Sequence, residues 1–62
     1  MNATYTLEGT ICVDGAEVAW YDADGGTWEN EVRCVLAGYG FLTVGEWATG
    51  ADETSTIAVK DA

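Results

Sequence analysis

The sequence predicts a small α+β domain: an antiparallel sheet of about four strands with one helix on a face, in the order ββαββ. Three observations carry that expectation. Residues 4–13 and 54–60 are rich in β-branched and aromatic types, Asp14-Gly15 separates two strand-like runs, and residues 27–38 repeat their apolar members at helical spacing. An all-β alternative, a five-stranded curled sheet or barrel, stays open because residues 28–37 also alternate as a strand does.

Each element has its own signals. Residues 4–13 read as one strand, with Leu7, Ile11 and Val13 on one face if Gly9 leaves the register intact. Asp14-Gly15 is a short hairpin turn, because Gly, and Asp more than most residues, accepts the positive φ of a type I′ turn. Residues 16–21 form the returning strand, with Val18 and Trp20 on one face and Glu17, Ala19 and Tyr21 on the other. Residues 22–26, Asp-Ala-Asp-Gly-Gly, are a loop by composition. In the helix that follows, Trp28, Val32, Val35, Leu36 and Tyr39 share a face. Thr27 is its candidate cap and Gly38 its candidate C′ residue, and Glu29 stands four residues before Arg33. Residues 40–48 form the third strand with a bulge at Gly45, residues 49–53 turn, and residues 54–60 return as the fourth strand.

At 62 residues the chain is expected to be a single domain, spanning 1–62. A domain of this length buries only about 60% of the surface of its unfolded chain. Hydrophobic residues nevertheless make up 48% of the sequence, including three Trp and three Tyr, enough to close a small core and to argue against disorder. No apolar run approaches the roughly 18 residues of a membrane span. The first residues lack the basic and apolar blocks of a signal peptide, so the expected location is cytoplasmic.

Charge is the outlying property. Eleven acidic residues face only Arg33 and Lys60, with no His, for a net charge of −9. Phosphate binding needs clustered Lys and Arg, so direct nucleic-acid binding is not expected. An anionic membrane surface is disfavoured by the same reasoning. The expected partner is a basic protein, and the expected state is a monomer or weak dimer.

Catalysis is not expected on inventory: there is no His, and the only Ser is Ser55, within a strand. No cofactor or metal is expected either. Aligned as an EF-hand loop from Asp22, Gly26 and Thr27 replace the central ligand and the turn glycine, and Arg33 stands where the bidentate Glu belongs. An irregular site from Asp22, Asp24 and Glu29 competes with a plain polar turn. Cys12 and Cys34 are too few for a zinc site without His and are read as free core thiols, with a disulfide as the alternative. Of Trp20, Trp28 and Trp47, at least two are expected in the core.

Four acids fall within residues 22–31, and others flank them in the two hairpins. Alternate residues on one strand face lie about 6.6 Å apart, so a strand or a helix face can present a row of carboxylates. B-DNA carries a negative charge about every 1.7 Å of its axis, and a groove built for that surface also accepts a rigid acidic decoy. The candidate partner-binding residues are Glu17, Asp22, Asp24, Glu29, Glu31, Glu46, Asp52 and Glu53.

In size, charge and lack of catalytic residues the chain resembles the small acidic nucleic-acid mimics of bacteriophages, which include anti-CRISPR proteins and uracil-DNA glycosylase inhibitors. The resemblance is one of composition, without a shared motif. It implies a non-enzymatic inhibitor of a nucleic-acid-binding protein or host defence complex. Two other readings compete: a halophile's solvated surface, and a phage or microbial structural or assembly subunit.

Overall fold

A computed structural model of the protein describes residues 1–22 and 28–62. Strands β1 (Asn2–Tyr5), β2 (Thr10–Val13) and β3 (Ala16–Trp20) precede helix α1 (Trp28–Gly38), and β4 (Phe41–Thr49) and β5 (Ser55–Asp61) follow it. The strands form one open antiparallel sheet in the order β3-β2-β1-β5-β4. The α+β class is therefore observed, and α1 settles the ambiguous segment as a helix. The all-β alternative falls with it. The described order is βββαββ, with five strands where about four were expected.

The additional strand comes from residues 4–13, which fold as two strands instead of one. Gly9 takes φ +98°, a left-handed conformation that favours glycine. The Thr6 amide donates to the Thr10 carbonyl (3.0 Å), the Thr10 amide to Thr6 Oγ1 (3.1 Å), and the Gly9 amide to the Thr6 carbonyl (3.0 Å). This closed turn reverses the chain and gives β1 both β2 and β5 as neighbours. Leu7, expected beside Ile11 and Val13, instead sits in the turn and is 76% exposed.

The Asp14-Gly15 turn forms as expected, with φ of 50° and 86° at its two residues. Strand β3 departs from the predicted alternation. Cys12 pairs with Glu17 but Ile11 pairs with Ala19, so Val18 is an extra residue on β3. The bulge lets both Val18 and Ala19 pack on the core, and Tyr21 joins them. Trp20, expected beside Val18, turns to the other face, where it is 62% exposed.

Helix α1 buries Val32 and Leu36, with Trp28 and Val35 packed beside them, so the predicted apolar stripe holds for those four residues. Tyr39 lies beyond the last helical residue and is exposed. The left-handed residue that ends the helix is Gly40 (φ +92°), not Gly38, because the helix continues through Gly38 before the chain turns. The Tyr39 and Gly40 amides donate to the carbonyls of Leu36 and Ala37. The expected cap, Thr27, lies outside the described residues.

On β4 the predicted bulge at Gly45 is present. Val44 pairs with Ala58 and Ala48 with Thr56, so three β4 residues oppose Ile57 alone. Gly45 supplies φ +86°. The bulge turns Trp47 toward the core, while Arg33 reaches it from α1: Nη2 donates to the Gly45 carbonyl and Nη1 to Thr43 Oγ1, both at 2.9 Å. The core between helix and sheet is built from Ala3, Tyr5, Ile11, Val13, Val32, Leu36, Ile57 and Val59. Two of the three Trp, Trp28 and Trp47, pack against it, as expected. Both cysteines are free, but Cys34 is exposed and Cys12 half-buried, so neither is the core thiol the sequence implied.

The β1–β2 turn makes Gly9 and Gly15 a discriminating pair. A Cβ on Gly9 would stand 2.5 Å from the Tyr21 carbonyl oxygen, whereas one on Gly15 meets nothing within 4 Å. Gly15→Ala should cost about 1 kcal/mol from its positive φ alone. Gly9→Ala should cost roughly 3 kcal/mol, because backbone must also move. Urea unfolding of both variants measures the difference, and equal losses would contradict the steric role of Gly9.

Candidate binding site at the acidic end of the sheet

The strand directions place particular loops together. Strands β1, β3 and β4 end, and β2 and β5 begin, at one end of the sheet. Helix α1 also begins there, since Trp28 stacks on Tyr5 (4.9 Å between ring centroids, 22° between planes). That end therefore gathers Glu8 from the β1–β2 turn, Asp22 after β3, Glu29 and Glu31 from the first turn of α1, and Asp52 and Glu53 from the β4–β5 turn. Neither Arg33 nor Lys60 neutralises it. Arg33 is a turn further along α1 and points to β4, and Lys60 pairs with Leu42 near the opposite end.

Several of these acids are held by specific contacts. The Tyr21 hydroxyl donates to Glu31 Oε2. That bond, followed by partial desolvation and the Glu31 charge, raises the Tyr21 pKa from 10.0 to about 12. Asp52 Oδ1 accepts the Thr54 amide at 3.1 Å, and Glu53 sits at φ +64° within that turn. The Glu29 backbone carbonyl accepts Trp47 Nε1 at 3.2 Å, while its side chain stays exposed. Carboxylates at Glu29 and Glu31 also meet the positive end of the helix dipole, a favourable placement of roughly 0.3–1 kcal/mol each.

At the middle of this end lies a cavity of about 350 Å³, lined in part by Tyr5, Tyr21 and Trp28 and by Glu8, Asp22 and Glu53. Glu8 was not among the sequence-predicted site residues, and it lies in a segment the sequence reads as one continuous strand. The Gly9 beside it was the available signal, since a glycine in a strand pattern often marks a turn or a close backbone approach.

The remaining predicted residues are elsewhere. Glu17 pairs with Cys12 on the sheet face opposite the helix, near the Asp14-Gly15 turn. Glu46 is in the β4 bulge, with its carboxylate 3.6 Å from Arg33 and 95% exposed. Arg33 thus pairs with Glu46 rather than with Glu29 one turn away. Asp24 lies outside the described residues. Ser55 is buried and shares a hydrogen bond with Thr49 (2.8 Å between hydroxyls). Among the described residues no group of three or more His, Cys, Asp or Glu side chains is placed to hold a metal ion. No described helix is long and apolar enough to cross a membrane.

No protein-family model matches the chain, no curated protein matches its sequence, and no solved structure matches its fold.

The Tyr21–Glu31 contact has a pH signature. Tyr21 keeps its proton in the folded state to about pH 12, whereas the unfolded chain releases it near 10.0. Its stabilising contribution is therefore complete below pH 10 and lost as pH rises through about 12. Unfolding followed across that window should show a steeper loss for the native sequence than for Tyr21→Phe. Parallel pH profiles would mean that Tyr21 ionises alike in both states.

Proposed function

We propose that the protein is a non-enzymatic inhibitor that binds a basic nucleic-acid-binding protein or complex, presenting carboxylates where that partner expects phosphates. The observation that carries this reading is the gathering of six of the described acids, with no described Lys or Arg among them, at the end of the sheet where α1 begins. A halophile's solvated surface needs no such gathering. Here the sheet face away from the helix has a nearly uncharged middle: by register, Thr4 lies between Cys12 and Thr56, and Asn2 pairs with Ala58.

The elements that hold these acids favour rigid presentation. Glu29 and Glu31 ride on a helix whose first residue is packed between two aromatic rings. Glu8 and Asp52 belong to turns closed by backbone hydrogen bonds. Fixed charges lose less conformational freedom on binding than charges on mobile tails. A field of this sign speeds encounter with a basic surface and weakens as salt rises. A bacterial host defence complex that holds DNA or RNA, the target class of anti-CRISPR proteins, is a partner of suitable chemistry. The host cytoplasm is then the proposed site of action.

The test compares charge reversal at the two ends. Asp22, Glu29, Asp52 and Glu53 changed together to Lys should weaken partner capture by about 100-fold or more. Asp14, Glu17 and Asp61 changed to Lys should weaken it far less. Capture from host lysate at low and moderate salt, with elution by duplex DNA, gives the readout. If duplex DNA does not displace the captured protein, or both variants bind equally well, the mimicry reading is wrong.

A further inference from the structure

We propose that the cavity at the acidic end binds a guanidinium group, and that it seats one arginine side chain of the basic partner. The second clause rests on the function proposed above; the first does not.

The size of the cavity narrows the choice. Small-molecule sites occupy roughly 300–1,000 Å³, and this one, at about 350 Å³, is at the small end. It suits a single side chain better than a nucleotide or a large cofactor. Its chemistry narrows the choice further. Among the described residues, three aromatic and three acidic residues line it, and no Lys or Arg does. Anions are disfavoured by Glu8, Asp22 and Glu53, while a cation gains from the carboxylates.

Guanidinium fits this lining better than ammonium. It is planar and weakly hydrated, stacks on aromatic rings, and offers a fork of donors to carboxylates. An ammonium is compact and strongly hydrated, so it loses more on leaving water. The aromatic wall is also fixed before any ligand arrives. Tyr5 stacks on Trp28, Trp28 meets Trp47 edge-on at 5.0 Å, and the Tyr5 hydroxyl donates to the Tyr21 carbonyl at 2.9 Å.

The experiment is an NMR titration of isotope-labelled protein with N-acetyl-arginine-methylamide and with its neutral isostere, N-acetyl-citrulline-methylamide. The arginine probe should give saturable shifts at the Trp28 indole and at the Glu8, Asp22 and Glu53 amides. The citrulline probe should bind more weakly by about tenfold or more. Changing Glu8→Gln, Asp22→Asn and Glu53→Gln together should weaken the arginine probe by about tenfold. Removing three charges at the other end, by Asp14→Asn, Glu17→Gln and Asp61→Asn, should leave its affinity unchanged. Equal binding of the two probes, shifts confined to Glu29 and Glu31, equal loss in both triple variants, or no binding would each overturn the proposal. The titration contains no protein partner, so its failure is separable from failure of the inhibitor reading.

Discussion

The position of Trp28 is the constraint on which the acidic end depends. Its ring stacks nearly parallel on Tyr5 of β1 and meets Trp47 of β4 edge-on. Trp47 closes the arrangement by donating from Nε1 to the carbonyl of Glu29, the next residue of α1. Aromatic pairs in such geometries contribute about 0.5–1.5 kcal/mol beyond the area they bury. This seat fixes the first turn of the helix over the ends of β1 and β4. Glu29 and Glu31 are thereby held at the same end of the sheet as the turns carrying Glu8, Asp52 and Glu53.

The helix is pinned at a second point by Arg33. In a chain with only two cations, one of them makes two hydrogen bonds into the β4 bulge and an ion pair with Glu46. The ion pair contributes little, because the Glu46 carboxylate is almost fully exposed. The hydrogen bonds to Thr43 and the Gly45 carbonyl do more, since they tie α1 to the one place where β4 leaves its register. The bulge has two consequences from one glycine: it brings Trp47 inward and offers a carbonyl to Arg33. Directing Arg33 there leaves the first turn of α1 with carboxylates and no counter-charge from its own helix.

Much of this fold was legible because local signals agreed with one another. The Asp14-Gly15 turn, the Gly45 bulge and the stripe of Trp28, Val32, Val35 and Leu36 were each marked by residue type and spacing. The sequence was less informative where a turn lacked its usual markers. Residues 6–9 contain no Pro, Asn or Asp, and the reversal relies on a Thr hydroxyl and one glycine, so β1 and β2 merge in the pattern. The β3 bulge at Val18 was hidden for a similar reason. Either Val18 or Ala19 can face a core, and only pairing with β2 shows that both do. Gly38 and Gly40 compete for the same role at the end of α1, and spacing alone does not choose between them. Among the acids, proximity in sequence was an uneven guide. Glu29 and Glu31 share the end of the sheet with Glu8, which is distant in sequence, while Glu17 lies away from them.

The same geometry separates the net charge from its distribution. A charge of −9 spread evenly would act mainly through solubility and long-range repulsion. With six of the described acids on two turns, a strand end and a helix start, the charge gives the molecule a direction: one end strongly acidic, and a sheet face whose middle is nearly neutral. The helix dipole favours Glu29 and Glu31, Asp52 Oδ1 accepts the Thr54 amide, and Glu31 accepts the Tyr21 hydroxyl. Asp52 and Glu31 are engaged in the fold, whereas Glu8, Asp22 and Glu53 surround an aromatic-lined cavity. Carboxylates and aromatic residues from distant parts of the chain therefore meet around one cavity.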